Sequence, residues 1–199
     1  SKSTLEGLNQ LCQTHDATLF MGLTTCLNIL LARLSRQNDV SIGTPIANRN
    51  HADIEAMVGF FVNTLVLRNP LSPQDSFISL LDRVRENTLD AYTHQDLPFE
   101  HLVDALNPER DLSYSPLFQV MLVLQNVTNQ ELGLNDLACE FLTHDNTTAK
   151  FDLTFNFFEG DNELLGLIEY NTDLFDHSTI ERFADHLERL VHTLIQHPD

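Results

Sequence analysis

Nine histidines and three cysteines are the residues with which this chain would carry out acid–base, nucleophilic or metal chemistry, so their spacing comes first. A zinc hydrolase writes HExxH along one helix, and no such string occurs. His94 and His101 flank "QDLPFE", but no carboxylate cluster stands beside them at ligand spacing, and no metal site is expected. With seven glycines and neither GxGxxG nor GxxxxGK[ST], no phosphate cradle is written either. A nucleophile elbow would need GxSxG, which is absent. Cys26 lies in a strongly apolar helical stretch and Cys12 in its neighbour, where a thiol serves packing. No catalytic residue emerges from spacing.

The unexplained polar residues sit elsewhere. "VGFFVNTLVLR", Val58 to Arg68, is apolar at both alternating positions, yet its middle holds an amide and a hydroxyl, Asn63 and Thr64. A run apolar on both faces predicts a strand from Met57 to Leu67 in the middle of a sheet covered on both sides.

The elements that would position these residues are legible from periodicity. From Thr18, Leu19, Leu23, Leu27, Leu30, Leu31 and Leu34 recur at helical steps, with Arg33 and Arg36 at the end where cations suit the helix dipole. "VSIG" reads as a strand entering the loop "TPIANRN", which ends near Ala56. "SPQDSFISLLDRVRENTLDAY" predicts a helix with Ser72 as N-cap and Pro73 at its first position. Three apolar segments follow, Leu117 to Leu124, Phe151 to Phe158 and Leu164 to Tyr170, the last two joined through Gly160, Asp161 and Asn162 as a hairpin. Asp152 and Asn156 fall on the face opposite Phe151, Leu153, Phe155 and Phe157. Polar stretches at Thr128 to Asn135 and Asn146 to Thr148 mark turns. Ser178 and Glu181 form a capping box for a final helix whose apolar stripe runs from Ile180 to Leu194. Strands interspersed with helices, without an internal repeat, predict one α/β (α+β) domain over 1–199 with a mixed β-sheet packed by helices.

Composition narrows the partners. Eleven Lys plus Arg against 29 Asp plus Glu give a net charge of −18, which opposes any nonspecific grip on nucleic acid or an anionic membrane. The cysteines are odd in number and lack CxxC spacing, which predicts a reducing compartment, the cytoplasm by default. No stretch has the length of a membrane span, and "SKSTLEGLNQ" lacks the apolar run of a secretory signal.

Four stretches carry a resemblance that spacing alone does not supply: "IGTPIANRN" at 42–50, "VGFFVNTLVLR" at 58–68, "HQDLPFE" at 94–100 and "RDLSYSPLFQVM" at 110–121. In order and separation they resemble successive signature motifs of condensation domains from nonribosomal peptide synthetases, enzymes of antibiotic and other secondary-metabolite biosynthesis. The resemblance covers almost the whole chain. It implies a fold similar to chloramphenicol acetyltransferase, used twice as two lobes around a tunnel, with this chain matching the carboxyl-terminal lobe. It also implies an acyltransfer reaction in which the amine of one aminoacyl group attacks the thioester of another. Both are carried on the phosphopantetheine of peptidyl carrier proteins, with an adenylation domain downstream, and no cofactor is bound by the lobe itself. The family's HHxxxDG motif belongs to the amino-terminal lobe and occurs nowhere in this sequence, so the chain is expected to fold and to be inactive alone. The last motif departs from the family's Arg-Asn-Pro-Leu ending at Tyr114, Ser115, Pro116 and Leu117, which bears on substrate subtype.

The resemblance assigns Thr44, Asn48, Arg49, Asn63 and Thr64 to a tunnel wall, where they would meet the two amides of pantetheine. The alternative for Asn63 and Thr64 is that they satisfy backbone groups where the strand bends. Gly59, Phe60, Asp96, Pro98 and Phe99 are expected to be structural, as is an Arg110–Asp111 pair fixing the loop before the next strand. Other functions left open are a self-associating acyltransferase, or a lobe of an epimerization or heterocyclization domain. Acidic carrier proteins would need an apolar or basic docking patch on so acidic a chain, and Arg33 with Arg36 is the candidate.

Overall fold

Thr18 opens the central helix of the molecule: its hydroxyl accepts the Met21 amide proton at 3.3 Å, and Arg36, at φ 58°, closes the far end in the left-handed region. The molecule described here is a computed structural model, covering residues 2–49, 52–108, 114–126, 148–160 and 163–198. Helix α1 (Lys2–Thr14) buries Leu5, Leu8 and Cys12, and α2 (Leu19–Ser35) is buried over most of its circumference, as an apolar helix must be. The two cross closely at Gly22, where a Cβ would stand 2.4 Å from the Cys12 sulfur.

Among the described residues, five strands form one mixed sheet: β1 (Asp39–Ile46), β2 (Asn63–Pro70), β3 (Val120–Asn126), β4 (Leu153–Glu159) and β5 (Leu164–Tyr170), in the order β2-β1-β3-β4-β5. The inner pairs β1–β3 and β3–β4 are parallel and the outer pairs antiparallel. The remaining helices are a single turn, α3 (Ala52–Glu55), then α4 (Phe77–Thr93), α5 (Phe99–Leu106) and α6 (His177–Gln196). Helices α2, α4 and α6 pack on the sheet through Val40, Ile42, Leu122, Leu153, Phe155 and Phe157, which share one face by strand alternation. The opposite face presents Val66, Gly43, Met121 and Thr154 in one register row, and beyond it Thr64 paired with Pro45 and Val123 in register with Asn156 and Leu167. Among the described residues, no single helix is long and apolar enough to cross a membrane.

Most expected elements are present, and three readings are corrected. The strand expected from Met57 begins only at Asn63. It is an edge strand rather than a central one, and Met57 to Val62 precede it as an exposed irregular segment, with Val58 103% and Phe60 93% exposed. The apolarity of that run therefore does not report burial within this chain. Helix α4 is capped by Ser76, whose hydroxyl accepts the Ser79 amide proton at 3.2 Å, and not by Ser72, whose own amide donates to the Asp75 carboxylate at 2.7 Å in a preceding turn. Helix α6 starts at His177 behind Asp176, so Glu181 stands one turn in and faces His177 at 3.5 Å instead of reaching back to a cap. The hairpin from β4 to β5 closes with the Gly160 amide on the Glu163 carbonyl at 3.0 Å. Its turn residues Asp161 and Asn162 lie outside the described residues, as do the expected turn at Thr128 to Asn135 and most of that at Asn146 to Thr148.

Candidate functional site

The four quoted stretches meet one another, and each junction has a definite chemistry. After β1 the chain turns at Asn48, a residue type that tolerates its φ of 51°. Arg49 then folds back over α3. Its guanidinium donates to the carbonyls of Ile54, of Glu55 at 3.1 Å and of Met57 at 2.8 Å, and it lies 4.3 Å from the centre of the Phe61 ring. The guanidinium thereby ties down the carboxyl-terminal end of the one-turn helix and the residues after it, sharing the Ile54 carbonyl with the Met57 amide at 3.2 Å.

Asn63 makes the second junction. Its side-chain amide donates to the Gln95 and Leu97 carbonyls, both at 2.8 Å, and its oxygen accepts the Phe99 amide proton at 3.1 Å. Phe99 opens α5, whose own N-cap, Pro98, has no side chain able to cap it. An amide reaching from a strand more than thirty residues earlier therefore caps this helix, using both donors and the acceptor of Asn63.

The third and fourth junctions are aromatic. The Phe99 ring meets Phe118 edge-on at 5.7 Å, and Phe118 meets Phe151 at 5.2 Å. Phe118 is fully buried, and its ring covers Gly43 so closely that a Cβ there would lie 2.3 Å away. The backbone delivers the ring through Leu117 at φ 69°, with the Phe118 amide bonded to the Pro116 carbonyl at 2.9 Å, the geometry of a γ-turn. A bulky residue with positive φ is strained, and here the strain coincides with the packing of Phe118.

The five residues assigned to a tunnel wall do not line up on one surface. Thr44 is 3% exposed and belongs with Val40 and Ile42 to the helix-covered face, paired with Leu65. Thr64 points to the opposite face, beside Pro45. Arg49 and Asn63 are engaged as described. Gly59 and Phe60 are exposed, Asp96 is exposed in the turn before α5, and Arg110 and Asp111 lie outside the described residues. Asn156, on the sheet face opposite α2, α4 and α6, and Asp152, just before β4, are half-buried, and burial holds the Asp152 carboxyl above its ordinary value. Burial also pushes the Cys12 thiol up to about 11 and that of Cys26 still higher, the reverse of an activated nucleophile. Gly43, Phe118 and Phe151 were given no role from the sequence, and Leu117 was noted only for its departure from the family's motif. Their only signals were a glycine inside an apolar strand and a proline directly before it turns.

Comparison with known proteins fits this geometry. The family model described as "Condensation domain" matches residues 1–199. The chain is 48% identical to one component of the linear gramicidin synthase of Brevibacillus parabrevis over 96% of its length, and 47% identical to malpinin synthetase of Mortierella alpina over 92%. It spans only 4% and 2% of those two proteins. Among solved structures, it resembles a four-domain nonribosomal peptide synthetase bound to AMP and glycine, with a TM-score of 0.92 and 25% identity over 100% of this chain and 16% of that one. It also resembles the X-domain from teicoplanin biosynthesis, with a TM-score of 0.86 and 26% identity over 99% of this chain and 46% of that one. With four motifs interlocked in one framework and the family model matched end to end, the chain belongs to the condensation-domain family of nonribosomal peptide synthetases, with its chloramphenicol-acetyltransferase-like fold.

Proposed function

We propose that the chain is the carboxyl-terminal lobe of a condensation domain. In the intact enzyme the domain forms a peptide bond between aminoacyl or peptidyl thioesters on two carrier proteins. The observation that carries this reading is the match of essentially the whole chain, at high structural similarity, to less than half of the X-domain chain from teicoplanin biosynthesis. The absence of HHxxxDG supports it, because amine attack on a thioester needs a group that takes or orients the proton, and no other base stands out. The sheet face opposite α2, α4 and α6, with Thr64 and Asn156, is the surface this reading gives to one tunnel wall. Arg49, Asn63 and the Phe99–Phe118–Phe151 stack are the scaffold that holds it. Carrier-borne phosphopantetheine is the cofactor, and the amino-terminal lobe, carrier proteins and an adenylation domain are the partners.

The test is a peptide-bond assay with aminoacyl thioesters loaded on donor and acceptor carrier proteins. This chain alone, the amino-terminal lobe alone and their mixture are compared. Product only from the mixture is expected. Turnover by this chain alone would sink the reading and return attention to its histidines.

A further inference from the structure

An open cleft of about 830 Å³ lies where the carboxyl-terminal ends of α2 and α6 meet the turn leading into α4. Ile29, Leu30, Leu71, Leu190 and Leu194 give it an apolar lining, and the exposed Arg33 and Arg36 stand one turn apart beside it. Of the eight arginines among the described residues, Arg68 is taken by Asp39, Arg83 by Asp75 and Arg49 by three carbonyls. Neither Arg33 nor Arg36 meets a carboxylate among the described residues. Among the described residues the carboxylate lining the cleft is that of Asp75, which is taken by Arg83 at 2.9 Å. In a chain of net charge −18, these two guanidinium groups put positive charge beside an apolar floor, where an acidic partner meets attraction instead of repulsion.

We infer that this cleft docks an acidic amphipathic helix of a carrier domain, an assignment that rests on the condensation reading above. The apolar ridge of such a helix fills the floor, and its flanking Asp and Glu side chains meet Arg33 and Arg36. The remainder of this acidic surface repels an acidic partner, so the cleft also sets where it lands. A charge-steered contact of this kind weakens with salt, because the arginines are exposed and their field is screened within about 10 Å at ~0.1 M ionic strength.

The test titrates a fluorescently labelled carrier domain bearing unloaded phosphopantetheine into this chain paired with its amino-terminal lobe, at about 50 mM and about 300 mM salt. Arg33→Glu with Arg36→Glu is expected to weaken binding by roughly 10-fold or more and to flatten its salt dependence. Arg182→Glu, near the opposite end of α6, should leave both unchanged. Both replaced arginines are exposed, so a circular dichroism melt matching the unaltered chain separates loss of docking from loss of fold. Unchanged affinity in the double variant, with the unaltered pair still forming peptide bonds, overturns the docking assignment and leaves the condensation reading intact. If the pair neither binds carrier nor makes product, the condensation reading fails and this inference with it. If the double variant instead abolishes association between copies of this chain while carrier binding is untouched, the cleft belongs to a self-interface and the assignment is wrong.

Discussion

Asn63 concentrates three hydrogen bonds in one side chain, and its orientation is fixed because two carbonyls and one amide demand two donors and one acceptor. Asn63→Asp places a carboxylate oxygen against the Gln95 and Leu97 carbonyls. It should destabilise the isolated chain by about 1–3 kcal/mol, read as a lower urea midpoint with faster hydrogen exchange at the Phe99 amide. A variant that unfolds with the unaltered chain would remove the capping account and return Asn63 to a ligand-facing role. Gly43 is constrained from the other side. Gly43→Ala drives a methyl into the Phe118 ring within a buried stack, and overpacking of this kind costs about 1–3 kcal/mol. Combining it with Phe118→Leu, which vacates part of the ring's volume, should cost less than the two single changes added together. Strict additivity would mean that the two residues do not press on each other.

At the scale of elements, what was legible in the sequence and what was not follow from the range of the interactions involved. Helix α2, the β4–β5 hairpin and the stripe of α6 were readable because each is specified by residues a few positions apart. The start of α4 was misplaced because serine occurs at both 72 and 76, and the choice depends on Asp75, which bonds back to Ser72 and makes a turn of the first candidate. The strand from Met57 was overextended because an apolar run records what a segment will be buried against, and not whether that partner is in the same chain. That Asn63 satisfies backbone groups was one of its two readings, but which groups it serves was not legible, because they lie more than thirty residues away. The turn before α4 also carries a pH signature. The Arg83 guanidinium, then the Ser72 amide, hold the Asp75 carboxyl below the ordinary carboxylate range. A folded-state value below the unfolded one gives stability that is present above the unfolded value and lost as pH falls through the folded one. Asp152 runs the other way. Burial raises it, so its contribution is present below the unfolded value and falls as pH rises through the folded one. Asp75→Asn should therefore lower the melting temperature at neutral pH and Asp152→Asn should raise it. Both differences should shrink toward zero below about pH 2, where the carboxyls are protonated in folded and unfolded chains alike. Equal shifts of either variant at pH 7 and pH 2 would show that the carboxyl's charge is not the cause.

For the whole molecule, the surface left bare sets solution behaviour. Leu165 and Leu167 stand side by side along β5 on the sheet face opposite α2, α4 and α6, and Met57, Val58, Phe60 and Val62 are exposed in sequence before β2. Large apolar side chains at this density mark surfaces that another molecule covers, and in the reading proposed above the cover is the amino-terminal lobe. Without it, copies of this chain are each other's available apolar surface, and only their mutual repulsion at a net charge of −18 opposes contact. That repulsion is screened by salt while the apolar attraction is not. The isolated chain should therefore associate more strongly as salt rises, the opposite trend to the charge-steered docking of a carrier. Light scattering across a concentration series is expected to show the weight-average mass rising with concentration, and rising further at about 0.5 M salt than at about 0.05 M. Val58→Glu with Phe60→Glu should reduce the effect without altering the fold, since both side chains are exposed. Equimolar amino-terminal lobe should replace self-association with a one-to-one complex. A monodisperse monomer at every concentration and both salt levels would mean that this apolar surface has no need of a cover, and would remove the strongest physical reason for expecting a second lobe to sit on it.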